Sequence, residues 1–203
     1  MNWARTLTRW RRRGHADGSL IWRQKPYGPG RLVFLWDVSG SMSDYVGWFF
    51  PWLYRVREER PLTHVFAFGT TLTDLTPYMT LDYPDAVRML SGQSNLWGGG
   101  TAIGQVLFGW HNGVGRSLIG SGSTVVVISD GWDVGEPEQL ERSLHVIAQR
   151  AKELIWINPL MATHDFEPRT RALKVALQYV AEMTSGATTT DLRRLCWRLG
   201  LTA

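Results

Sequence analysis

The stretch Leu32 to Met42, LVFLWDVSGSM, constrains this chain more than any other. An unbroken apolar run stops abruptly at an acid, two hydroxyls and a glycine. Such a run reads as a parallel strand, apolar on both faces because helices cover both sides of the sheet. In open α/β sheets ligands bind in the crevice beyond the carboxyl ends of the strands. Asp37, Ser39 and Ser41 therefore fall where a site is built. Hard oxygen donors alternating on one tight turn can converge on a small cation, and magnesium prefers such donors. The competing reading makes Ser39 and Ser41 simple helix caps and puts Asp37 in a turn.

Two later segments complete the pattern. Trp97 to Gly104, WGGGTAIG, places Thr101 after three glycines and ahead of an apolar stretch of helical spacing. Ser123 to Ser129, STVVVIS, is a second buried run and ends in Asp130-Gly131. The order D-x-S-x-S, glycine-flanked Thr, then Asp after a hydrophobic strand resembles the metal-ion-dependent adhesion site of von Willebrand factor A (VWA) domains. DGWD (130–133), IWINPL (155–160), VFAFGTTL (65–72) and SGSMSDY narrow the resemblance to the CoxE-like branch of that family, over about Arg31 to Pro159. Relatives often carry a longer region before the domain than the roughly 30 residues present here.

The resemblance implies a three-layer, doubly wound, mostly parallel sheet with one antiparallel edge strand. It implies Ser39, Ser41 and Thr101 as direct ligands of Mg²⁺, or of another divalent cation such as Mn²⁺ or Ca²⁺. Asp37 and Asp130 would hold ligated waters or join the shell directly. Three neutral hydroxyls leave the ion electron-poor, so a carboxylate from a partner protein can take the open position. The family also implies work with a MoxR-type AAA+ ATPase on a client metalloenzyme of the carbon monoxide dehydrogenase type, without catalysis by this chain.

Reaction chemistry is the alternative class. A magnesium-dependent phosphoester hydrolase of the haloacid-dehalogenase kind needs a second acid two residues after the first, where this chain has Ser39. GGGTAIG lacks the Lys-Ser/Thr ending of a phosphate loop. Ser39 is outside a G-x-S-x-G elbow, and no histidine is placed to activate it. His64 and His145 fall in or near apolar periodic segments, whereas His111 and His164 fall in expected loops.

The 203 residues suit one domain, read as a basic extension over 1–30 and the VWA domain over 31–203. Net charge is +4, with Arg5, Arg9, Arg11, Arg12 and Arg13 clustered near the start. That arm can dock on an acidic protein, remain solvated, or serve as an adaptor for nucleic acid or a membrane surface. The lone Cys196 excludes an internal disulfide and reads as a small buried hydrophobe. No run approaches a membrane span and no secretory signal is evident, so a cytoplasmic address is expected.

Of eleven tryptophans, Trp36 and Trp156 read as strand core. Trp97 and Trp132 flank the glycine-rich turns and could rim a partner site. Asp133 is expected to bond within its own loop, and Asn158 to line the site or hold a turn. A helix is expected from Ser43 or Asp44 to about Glu58, disturbed at Pro51, and another from Thr101 towards Trp110. A last helix or strand is expected over Ala172 to Val180, and a terminal helix over Thr190 to Leu199 capped by Thr189 or Thr190.

Overall fold

Four apolar runs become strands because each can be buried on both faces. The computed structural model describes residues 30–92 and 99–202. The expected arm, including a possible helix at Trp3 to Arg13, lies outside the described residues, as do Trp97 and Gly98. The strands are β1 (Leu32–Asp37), β2 (Thr63–Phe68), β3 (Leu72–Asp74), β4 (Thr124–Ile128), β5 (Glu153–Ile157) and β6 (Glu182–Thr184). Their order is β3-β2-β1-β4-β5-β6; every pairing is parallel except β2 with β3 at one edge.

Helices cover both faces, as parallel strands require. On one side α1 (Val46–Glu59), α2 (Tyr83–Ser91) and the terminal helix Thr189–Leu199 enclose Phe34, Trp36, Val126 and Ile157. On the other, α3 (Ile103–Asn112), α5 (Pro137–Arg150) and α6 (Arg171–Ala176) enclose Leu35, Phe66, Val127 and Trp156. The one-turn α4 (Gly115–Leu118) sits in the loop before β4, and Thr189–Leu199 is α7. Both Trp36 and Trp156 are fully buried, as is much of β1, β2, β4 and β5. A large side chain truncated to alanine in such a core costs about 3–5 kcal/mol.

Several local expectations shift. Pro51 stays inside α1; the carbonyl it leaves without a helical donor belongs to Gly47, which is exposed and open to water. The last strand, β6, falls after the 172–180 segment, most of which is α6. Thr188 caps α7, not Thr189 or Thr190: its side chain accepts from Asp191 N while Asp191 answers at the Thr188 backbone. His111 lies within α3 rather than in a loop, buried edge-on to Phe108. Cys196 is buried and accepts a 3.2 Å bond from Trp52 Nε1.

Candidate metal centre

The chain leaves β1 towards β2 on one side of the sheet, and β4 flanks β1 on the other. The gap at the carboxyl ends of β1 and β4 is thus the topological switch point, where open α/β sheets hold their ligands. Trp36 pairs in register with Ile128, so Asp37 and Ser129 emerge level with one another. Ser129 Oγ donates to Asp37 Oδ2 at 2.6 Å, and Ser39 N donates to Asp37 Oδ1 at 3.0 Å. The role of Ser129 is absent from the sequence reading. Its signal was the hydroxyl closing an apolar strand directly before Asp130.

Asp37 is fully buried. Burial pushes its carboxyl from 3.8 up to about 6, opposed by the hydrogen bonds from Ser129 and Ser39 and helped by the nearby charge of Asp130. Ser39 stands at the N-cap position of the 3-10 turn Gly40–Tyr45, yet its hydroxyl makes no capping bond. It instead faces Ser41 Oγ at 3.4 Å. That removes the reading of Ser39 as a simple cap. Ser39 is only 3 % exposed, and Ser41 lies at the surface.

The other two loops are laced to the first by backbone bonds. Gly40 N donates to Gly99 O and Ala102 N to Gly69 O, which holds the Thr101 loop between the ends of β1 and β2. Thr101 is 3 % exposed and precedes α3 instead of opening it; the helix starts at Ile103. Val134 N donates to Thr101 O, joining this loop to the one that carries Asp130. Asp133 bonds its own loop at Gly135 N, as expected, and its Oδ1 also accepts from Ile103 N at the start of α3. Asp130 is buried, its Oδ1 accepts from Trp132 N, and its carbonyl accepts from Asn158 Nδ2. Asn158 thus supports the Asp130 backbone and holds the expected turn, since its Oδ1 caps Leu160 N.

Gly131 makes the bend after Asp130 possible. Its φ is +78°, and a Cβ there would stand 2.6 Å from Leu173 Cγ. Trp132, next along, is 66 % exposed.

Asp37, Ser39, Ser41, Thr101 and Asp130 therefore sit on three interlocked loops at one end of the sheet. Their donors are three hydroxyls and two carboxylates, all hard oxygens, which suit Mg²⁺, Mn²⁺ or Ca²⁺. A buried carboxyl held against its preference for neutrality is a further feature that a cation would relieve. Among the described residues no group of three or more His, Cys, Asp or Glu side chains gathers as a metal site of another kind.

The family model described as a VWA domain containing CoxE-like protein matches residues 1–192. The chain belongs to this CoxE-like VWA family. The match takes in the basic segment and extends beyond Pro159, wider than the motifs alone suggest. No curated protein matches the sequence.

Solved structures share the VWA fold. A von Willebrand factor type A protein from Catenulispora acidiphila is similar at 18% identity and TM-score 0.53, over 84% of this chain and 42% of that one. BatB from Bacteroides thetaiotaomicron is similar at 17% identity and TM-score 0.52, over 84% of this chain and 97% of that one. Proximal thread matrix protein 1 from the mussel byssus, with a zinc-occupied MIDAS motif, is similar at 17% identity and TM-score 0.52, over 84% and 48%. This CoxE-like chain thus spans less than half the length of the first and third of these proteins.

Proposed function

We propose that this chain is a non-catalytic protein-binding module that works through a divalent cation. Ser39, Ser41 and Thr101 hold the ion directly, and Asp37 and Asp130 hold its waters or complete its shell. The ion is Mg²⁺, with Mn²⁺ or Ca²⁺ as substitutes, and it supplies an electrophilic position for a carboxylate of the partner. The observation that carries this reading is the Ser39 hydroxyl, buried at a helix start where it caps nothing and facing Ser41 beside Asp37. The zinc-occupied MIDAS motif of the mussel relative supports it at the level of the fold.

The chain's own residues do the positioning. Ser129 and the Ser39 amide orient the Asp37 carboxylate, while Asp133 ties the Asp130 loop to α3 beside Thr101. With three neutral hydroxyls as the direct donors and the two carboxylates acting through waters, a divalent ion retains attraction for an outside anion. Family membership supports the wider assignment, an accessory role with a MoxR-type AAA+ ATPase on a client of the carbon monoxide dehydrogenase type. The division into a basic extension (1–30) and the domain (31–203), and the cytoplasmic address, belong to the same proposal. Among the described residues no helix is long and apolar enough to cross a membrane.

A pull-down with the candidate AAA+ ATPase, in magnesium and in EDTA, tests the reading. Retention lost in EDTA and on Asp37→Ala is expected. Retention indifferent to both overturns the metal-bridged contact.

A further inference from the structure

The loop from Asp130 to Glu136 combines two features that seldom coincide. Its backbone is firmly tied, yet it holds two large apolar side chains out in water. Trp132 N is bonded to Asp130 Oδ1, Gly131 N to Ser129 Oγ, and Val134 N to Thr101 O. Asp133, between the two apolar residues, turns inward to Ile103 N and Gly135 N. Trp132 is nevertheless 66 % exposed and Val134 81 % exposed. Each is fastened through its own backbone to a residue of the candidate metal set, Trp132 to Asp130 and Val134 to Thr101. The fold buries Trp36 and Trp156 completely on the same sheet, in contrast to Trp132.

We infer that Trp132 and Val134 form the specificity-determining contact of the metal site, selecting a protein segment whose carboxylate is flanked by apolar side chains. This rests on the metal-dependent reading proposed above. A carboxylate on the ion brings its backbone against this rim, and residues two apart on an extended segment are about 7 Å apart, within reach of the flanking loop. Exposed, rigidly held aromatic surface is the usual anchor of a protein contact. Glu136 and Glu138 are exposed immediately beyond Val134. Their charge repels an acidic run or a phosphate backbone, so the favoured segment carries one carboxylate between apolar neighbours.

The test uses two fluorescein-labelled, end-blocked peptides, Ser-Leu-Ser-Glu-Ser-Leu-Ser and the same peptide with serine for both leucines. Anisotropy is measured with the full chain in saturating Mn²⁺, and Mn²⁺ affinity separately by paramagnetic resonance. The leucine peptide should bind wild type about five-fold tighter or more, given the apolar area available. In the W132S/V134S variant the two peptides should bind within about two-fold of each other, with Mn²⁺ affinity unchanged to a similar margin. A leucine preference that survives in the variant, or is missing in wild type, overturns the inference and leaves the metal reading standing. Mn²⁺ binding without uptake of either peptide also counts against it. Failure of wild type to bind Mn²⁺ at all removes the metal reading, and this inference with it.

Discussion

Asp37→Asn should make the metal-free protein more stable at neutral pH while abolishing its response to metal. Asp37 is fully buried, and burial raises its carboxyl from 3.8 to about 6. A carboxyl whose folded-state value is raised binds its proton more tightly in the folded state than in the unfolded chain. The stability it contributes is fully present below about pH 4 and is lost as pH rises through about 6. A displacement of about two pH units, at 1.36 kcal/mol each, makes the ionised group cost roughly 3 kcal/mol at pH 7.5. Asparagine removes that cost. It keeps the acceptor for Ser39 N, and its amide can donate to Ser129 Oγ in place of the bond that Ser129 now gives. At about 2–4 °C per kcal/mol for a chain of this size, Tm in EDTA should rise by about 6–12 °C at pH 7.5. The gain should shrink to about a third of that at pH 4.5 and vanish below about pH 4. Thermal unfolding by circular dichroism of both proteins across this range isolates Asp37, because other titrating groups are common to the pair. For wild type, added Mg²⁺ should raise Tm more at pH 8 than at pH 5, since the ion needs the carboxylate; the variant should show no such rise. A variant less stable than wild type at pH 7.5 in EDTA, or one that keeps the metal response, refutes this reasoning.

Other perturbations follow from the loop geometry. Asp133→Ala removes the acceptor of Ile103 N and Gly135 N; chemical denaturation should show a loss of about 1–2 kcal/mol, and Mn²⁺ titration a weaker site because the Thr101 loop is released. Gly131→Ala forces a side chain into φ +78° and onto Leu173, so urea midpoints should report a loss above about 2 kcal/mol; an unchanged midpoint contradicts the close approach. Thr188→Ala breaks the capping box of α7 and should cost about 1 kcal/mol without altering metal affinity.

Those parts of the fold with strong local signals were legible in the sequence. LVFLWD and THVFAF announce themselves as strands because they are buried on both faces. β6 does not, because three half-buried residues, EMT, carry no apolar run; only pairing with β5 makes them a strand. Thr101 stands in the right loop, but α3 begins two residues later because Ala102, tied to Gly69 O, has a non-helical backbone at φ -123° and ψ 70°. The acids and hydroxyls of the candidate site were readable as residue types at strand ends. Their supports were not, since Ser129 meets Asp37 across 92 positions and Asp133 meets Ile103 across 30. Such contacts are set by sheet register and loop docking, which local spacing does not encode.

Where a divalent ion sits decides whether the metal centre proposed for this chain exists. Anomalous diffraction from crystals soaked in Mn²⁺ should show one strong peak at the carboxyl ends of β1 and β4. It should lie about 2.1 Å from the hydroxyl oxygens of Ser39, Ser41 and Thr101, with Asp37 and Asp130 in direct or water-bridged contact. No peak among these residues at saturating Mn²⁺, or a peak with Thr101 turned away beyond reach of the ion, would contradict it.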